Sequence, residues 1–194
     1  MTTQQASGMI TLDLDSPEEL KLVNGRIKFA LGLDPGQPNQ GLTAERKTEV
    51  AARLAGFDDS GWATPKSIRD SVSTGLTFGW YRFTITLPEK VRGLPVAGAQ
   101  VWFEASIDDY GEVWADYPGP DLKPAAAIAA QKLSPVIGYN GRNRLLIARE
   151  AKPGQKHVIA CLAVNAPLAN PLGSIFIRYA RLEICQGMGK VPFG

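Results

Sequence analysis

Short runs in which apolar and polar side chains alternate recur along the chain, and they predict strands rather than helices. The clearest is Trp80 to Leu87, with Tyr81, Phe83, Ile85 and Leu87 on one face and Arg82, Thr84 and Thr86 on the other. Val101 to Ile107 repeats the pattern, Val101, Phe103, Ala105 and Ile107 pointing one way. Further runs lie at Ile10 to Leu14, Arg26 to Leu31, Gly111 to Ala115, Arg144 to Ala148, His157 to Val164 and Ser174 to Ile184. Turn residues separate them: Asp34-Pro35-Gly36, Pro88-Glu89-Lys90, Asn140-Gly141, Lys152-Pro153-Gly154-Gln155 and Asn170-Pro171-Leu172-Gly173. Strands at this spacing predict an all-β sandwich. Two helix-like stretches, Thr43 to Leu54 with Gly56 as its stop and the alanine-rich Ala125 to Leu133, read as short insertions between strands.

No internal repeat, low-complexity tract or linker divides the sequence, so one domain over residues 1–194 is expected, with its core at about 10–185. Gly 20 and Pro 14 suit a fold with many turns. The balance of 21 basic against 19 acidic side chains gives +2, which speaks against nucleic acid as a partner, because phosphate binding needs a basic excess. No apolar run reaches the roughly 20 residues that cross a bilayer, so no membrane association is expected. Met1 to Gly8 lacks the features of a leader, and a cytoplasmic location is the default expectation.

Conventional catalytic chemistry finds little support. His157 is the lone histidine, without a metal-ligating or nucleophile partner at the right spacing, which speaks against zinc and against a nucleophile triad. No glycine-rich nucleotide loop is present. Cys161 sits in an apolar run and reads as a buried inert thiol; a disulfide to Cys185 stays open. Hydrolysis by two carboxylates, and Tyr or Arg acid–base chemistry, also stay open.

Two stretches carry candidate binding chemistry. Asp108, Asp109, Tyr110, Glu112 and Trp114 bring carboxylates that accept hydrogen bonds from hydroxyls beside rings that stack on a pyranose. A strand-joining turn, with the aspartates bonding local backbone and Trp114 packed inward, explains the same residues. In the second, Arg142 and Arg144 offer two guanidinium groups, beside Tyr139 and Asn140, for a carboxylate or uronic acid. The same arginines serve equally as internal partners for Asp108, Asp109 or Glu112. Loops at one end of a sandwich cluster, so the two stretches are expected to face each other. Trp62 and Trp80 read as core or corner residues, and Trp102, opposite Val101 and Phe103, as either covered by an insertion or an exposed platform.

Asn24-Gly25-Arg26-Ile27-Lys28-Phe29, Phe57-Asp58-Asp59-Ser60-Gly61-Trp62 and Trp80-Tyr81-Arg82-Phe83 with Leu87-Pro88, in that order, resemble the sugar-binding jelly roll of glycoside hydrolase family 2. Ile107 to Trp114, Gly138 to Arg144, Lys152 to Gln155, and Asn165-Ala166-Pro167-Leu168 through Glu183 resemble the jelly roll that precedes gluconolactonase-like, regucalcin-type propellers. The loop Ala115-Asp116-Tyr117-Pro118-Gly119 departs from that pattern. Together the segments imply a single galactose-binding-like jelly-roll β-sandwich with short helical insertions. Relatives of this kind hold a structural calcium, and Asp58-Asp59 or Asp108-Asp109 would supply its oxygen ligands here; no other cofactor is expected.

Three functions fit. The first is a non-catalytic module binding a carbohydrate or polyol-type ligand, accessory to a hydrolase. Another is a docking or oligomerisation module, partnered by an enzyme or a second copy. The third is a small stand-alone lyase, isomerase or hydrolase, with a pocket lined jointly by Tyr110, Glu112, Tyr139 and Arg142 or Arg144.

Overall fold

Trp, Tyr, Phe, Ile and Val fill pleated surfaces well, and the runs rich in them become the two central strands of a sheet. A computed structural model describes residues 8–36, 50–73, 75–119, 136–139 (backbone only), 141–165 and 173–187. The strands are β1 (Gly8–Asp13), β2 (Arg26–Leu31), β3 (Thr77–Thr86), β4 (Lys90–Val91), β5 (Leu94–Pro95), β6 (Gln100–Asp108), β7 (Tyr110–Ala115), β8 (Val136–Tyr139), β9 (Arg142–Ala148), β10 (Lys156–Asn165) and β11 (Phe176–Gln186). A five-stranded sheet runs β2-β3-β10-β7-β8 and a four-stranded sheet runs β1-β11-β6-β9, while β4 and β5 form a small hairpin. All pairings are antiparallel. The all-β sandwich expected from the pattern, and the jelly roll implied by the resemblance, is the fold.

The inner faces follow the predicted alternation. Tyr81, Phe83, Ile85 and Leu87 meet Val101, Phe103, Ala105 and Ile107 in one core. Phe83 and Phe103 touch across the two sheets, ring centroids 5.3 Å apart. The Pro-Gly turn between β9 and β10 also forms, with Gly154 at φ 80 and the Gln155 amide donating to the Lys152 carbonyl at 3.0 Å.

On the outer face of the five-stranded sheet, however, solvent is largely excluded. β3 and β10 are buried on both sides along most of their length. A second apolar cluster there joins Trp80, Ala160, Leu162 and Val164 to Val50 and Ala52 of the segment that lies over the sheet. Residues 51–53 of the predicted Thr43–Leu54 helix form one 3-10 turn; its earlier residues through 49 and the Ala125–Leu133 stretch lie outside the described residues. A helix not anticipated, α1 (Pro17–Lys21), starts at Ser16, whose hydroxyl accepts from the Glu19 amide at 3.4 Å. Among the described residues no helix is long and apolar enough to cross a membrane.

Both cysteines are buried free thiols. Cys161 faces the common core from β10, whereas Cys185 sits beside inward-facing Ile184 on β11 and so turns to the other side of the opposite sheet. Burial pushes both thiols above their ordinary pKa. Iodoacetamide at mildly alkaline pH should therefore label neither in the native protein and both in urea, with mass spectrometry as the readout. Rapid native labelling at Cys161 would contradict its burial.

Candidate functional site

The short strand β7 divides its side chains sharply. Val113 is fully buried in the core, and a Cβ placed on Gly111 would come within 2.7 Å of Ile107, so this edge of the strand is pressed against the sandwich interior. Tyr110, Glu112 and Trp114 consequently point outward from the five-stranded sheet, half-buried. The Tyr110 hydroxyl donates to Glu112 Oε1 at 2.8 Å, and Trp114 Nε1–H donates to Oε2 at 3.2 Å. Burial, followed by the bond to Glu112, pushes the Tyr110 pKa up to about 12. Its hydroxyl therefore remains a donor at neutral pH.

Two neighbours extend this cluster beyond what the sequence suggested. Tyr117 meets Trp114 edge-on at 4.9 Å, and the Arg53 guanidinium lies 4.8 Å from the Trp114 ring and 5.0 Å from the Tyr117 ring. Tyr117 was within reach of sequence reasoning, three residues past Trp114. Arg53 comes from the segment covering the sheet, and nothing local announces where its side chain goes.

Asp108, at the end of β6, pairs with Arg178; burial raises its carboxyl above the usual range and that arginine only partly offsets the rise. The Asp109 amide donates to the Val164 carbonyl at 3.1 Å. Tyr139 occupies the register position opposite Tyr110, and Asn140 lies outside the described residues. Arg142 and Arg144 are elsewhere. Asn143 is buried and Leu145 and Ile147 pack on the core, so both arginines point outward from the four-stranded sheet.

On that second face Arg144 has its own company. Its Nη2 lies 2.7 Å from Glu183 Oε2, its Nε 3.7 Å from Glu104 Oε2, and its guanidinium 4.1 Å from the centre of the Trp102 ring. The Tyr179 hydroxyl donates to Glu104 Oε1 at 2.7 Å. Trp102 is thus half-buried, with the Arg144 guanidinium over its ring. The structure brings Tyr110, Glu112 and Trp114 together and sets Arg142 and Arg144 on the opposite outer face. A pocket lined jointly by Glu112 and either arginine is not assembled.

The residues that carried the family resemblance do structural work. Arg82, 1% exposed, donates from Nε to Asp59 Oδ2 at 3.0 Å and from Nη1 to the Ala52 and Leu54 carbonyls at 2.6 and 3.0 Å. Arg26 Nη1 takes the other Asp59 oxygen at 2.7 Å. A calcium ion, which wants six to eight oxygen ligands, would sit against two cations at Asp59. Asp58 is tied locally, its Oδ1 accepting from the Ser60 amide at 2.9 Å. His157 is buried with Nδ1 2.6 Å from Asp116 Oδ2. Among the described residues no three His, Cys, Asp or Glu side chains gather as a metal site would require.

No protein-family model matches the chain. No curated protein matches it either. Solved structures do. A mutant of Bacteroides uniformis beta-glucuronidase 2 is similar over 91% of this chain and 18% of that one, at 16% identity and a TM-score of 0.52. A glycosyl hydrolase family 2 member from Bacteroides cellulosilyticus is similar over 90% and 20%, at 14% identity and 0.51. Ruminococcus gnavus beta-glucuronidase is similar over 95% and 31%, at 13% identity and 0.52. At such identities the likeness shows a shared fold. The chain spans less than a third of the length of each.

Proposed function

We propose that this chain is a non-catalytic jelly-roll module that binds a carbohydrate or polyol, accessory to a glycoside hydrolase. One observation carries the reading: Glu112 is a half-buried carboxylate held between Tyr110 and Trp114, each oxygen accepting one hydrogen bond among the described residues. A carboxylate offers about four acceptor positions, so capacity is left for paired sugar hydroxyls. The rings beside it supply the apolar contact a pyranose face needs. Support for a hydrolase as companion comes from the similar structures, glycosidases in which this fold fills less than a third of the chain. The companion follows in the same polypeptide or is a separate protein.

A glycan array followed by calorimetry on the best ligand tests this. Binding is expected in the millimolar to micromolar range. Glu112→Gln should weaken it about tenfold, the worth of hydrogen bonds to a charged group. Trp114→Ala should weaken it by a similar factor, while both variants keep wild-type circular dichroism. If the array retains nothing at millimolar ligand, or the variants bind as wild type does, the proposal fails.

A further inference from the structure

The arginines that stand apart from the Glu112 cluster have a setting of their own. Across the outer face of the four-stranded sheet, Tyr179 of β11, Ser106 of β6 and Arg142 of β9 form one row. Arg181, Glu104 and Arg144 form the next, with Asp13 of β1 beyond Arg181. The intervening Ala105, Ile107 and Ala180 face the core, so both rows point away from it.

The charges in these rows are unequally matched. Glu104 accepts from the Tyr179 hydroxyl at 2.7 Å and lies 3.7 Å from Arg144 Nε, while Asp13 is held by Arg69 at 2.6 Å. Both carboxylates opposite Arg181 are thus engaged elsewhere. Its guanidinium lies instead 4.6 Å from the centre of the Tyr179 ring. Arg142 and Arg181 are exposed, and neither has an ion-pair partner among the described residues. Both charges reach the Tyr179 hydroxyl: burial and then the Glu104 bond raise its pKa, and Arg142 and Arg181 oppose the rise. Ser106, set between Tyr179 and Arg142, is 7% exposed, yet its hydroxyl makes no hydrogen bond among the described residues. A polar group so deep ordinarily has a partner. Opposed residues in a sheet have Cβ atoms about 4.5–5.5 Å apart and diagonal ones about 7–8 Å. Arg142 is opposed to Ser106 and Arg181 is diagonal to it, so both side chains have the length to close over that hydroxyl.

We infer that this face binds a sulfate or phosphate monoester, its oxyanion seated over Ser106 between Arg142 and Arg181. Such a group carries three terminal oxygens, one for the hydroxyl and the others for the two guanidinium groups, whereas a carboxylate has two. The nearby carboxylates do not repel it outright, since Arg144 is paired with both Glu104 and Glu183. The site shares no residue with the Glu112 cluster, which lies on the other sheet.

Amide NMR titration of the full chain at fixed ionic strength, with methyl phosphate, methyl sulfate and acetate as probes, tests the assignment. None of the three carries a sugar, so the outcome does not depend on the carbohydrate reading. At least one ester should saturate at millimolar concentration and shift residues 104–106, 142–144 and 179–181, with acetate at least about fivefold weaker. Whichever ester binds tighter identifies the source of the oxyanion, and either result upholds the site. Arg142→Gln and Arg181→Gln should each weaken binding about fivefold. Arg142→Gln, which breaks no ion pair among the described residues, should leave the urea midpoint unchanged. No saturation by about 50 millimolar, equal affinity for acetate, shifts confined to other strands, or unchanged affinity in Arg142→Gln would each overturn the assignment.

Discussion

Asp59→Ala is expected to lower the unfolding free energy by about 3–5 kcal/mol, the usual cost of removing one partner of a buried ion pair. The reason lies in Arg82. Its guanidinium sits on the outer face of central strand β3, 1% exposed, and reaches the carbonyls of Ala52 and Leu54 at 2.6 and 3.0 Å and those of Ala55 and Phe57 at 3.4 Å. Burial lowers the Arg82 pKa, and Asp59 is the group that opposes this. Without that carboxylate, a desolvated cation keeps its carbonyl acceptors and loses its counter-charge. Arg26→Ala removes the half-exposed partner and should cost no more than about 1 kcal/mol.

The same pair gives the stability a defined acid limb. Burial alone would raise the Asp59 carboxyl, but hydrogen bonds from Arg82 and Arg26 outweigh it and hold the group below its ordinary value. A carboxyl depressed in the native state contributes fully above its unfolded pKa of about 3.9 and loses that contribution as pH falls through the native value. Urea midpoints of wild type and Asp59→Ala should therefore differ by a constant amount from neutral pH to about 5, and converge in stronger acid. A gap that persists undiminished at about pH 2 would remove the ionised carboxylate from the explanation.

The other large effect is in the centre of the sandwich. Phe103→Ala should cost about 3–5 kcal/mol, because it deletes a fully buried ring that meets Phe83 from the facing sheet and leaves a cavity neither sheet can close. Its chain neighbour Trp102 offers an internal control. That ring lies on the other face of β6, half-buried under Arg144, and Trp102→Ala should cost only about 1 kcal/mol. Equilibrium urea unfolding measures both. A larger loss at Trp102 than at Phe103 would mean that the inner and outer faces of β6 have been confused.

Strand alternation made much of this legible. β2 coincides with the predicted run, and the inward sets on β3 and β6 are those the pattern marks. The failures have physical causes. Arg82 falls on the polar side of Trp80 to Leu87, yet it is buried, because alternation describes a face without saying what will cover it. The helix α1 spans Pro17–Lys21, too few residues for a 3.6-residue period to show; only the Ser16 cap and the Pro17 and Glu19 that follow it could have signalled it. Strands β4 and β5 have two residues each, below any periodic signal. At the candidate site, Tyr110, Glu112 and Trp114 share a face because they are two apart on one strand, which is a local fact. Whether Arg142 and Arg144 join them depends on which sheet β9 enters, and pairing partners are not written in local pattern.

That crossing from one sheet to the other, made between Tyr139 and Arg142, sets what kind of object the domain is. Packed sheets stand about 10 Å apart, so the ornamented exteriors look away from each other across the full thickness of the protein. The Glu112 cluster and the Trp102–Arg144 pair therefore face in opposite directions, and no one small molecule can touch both.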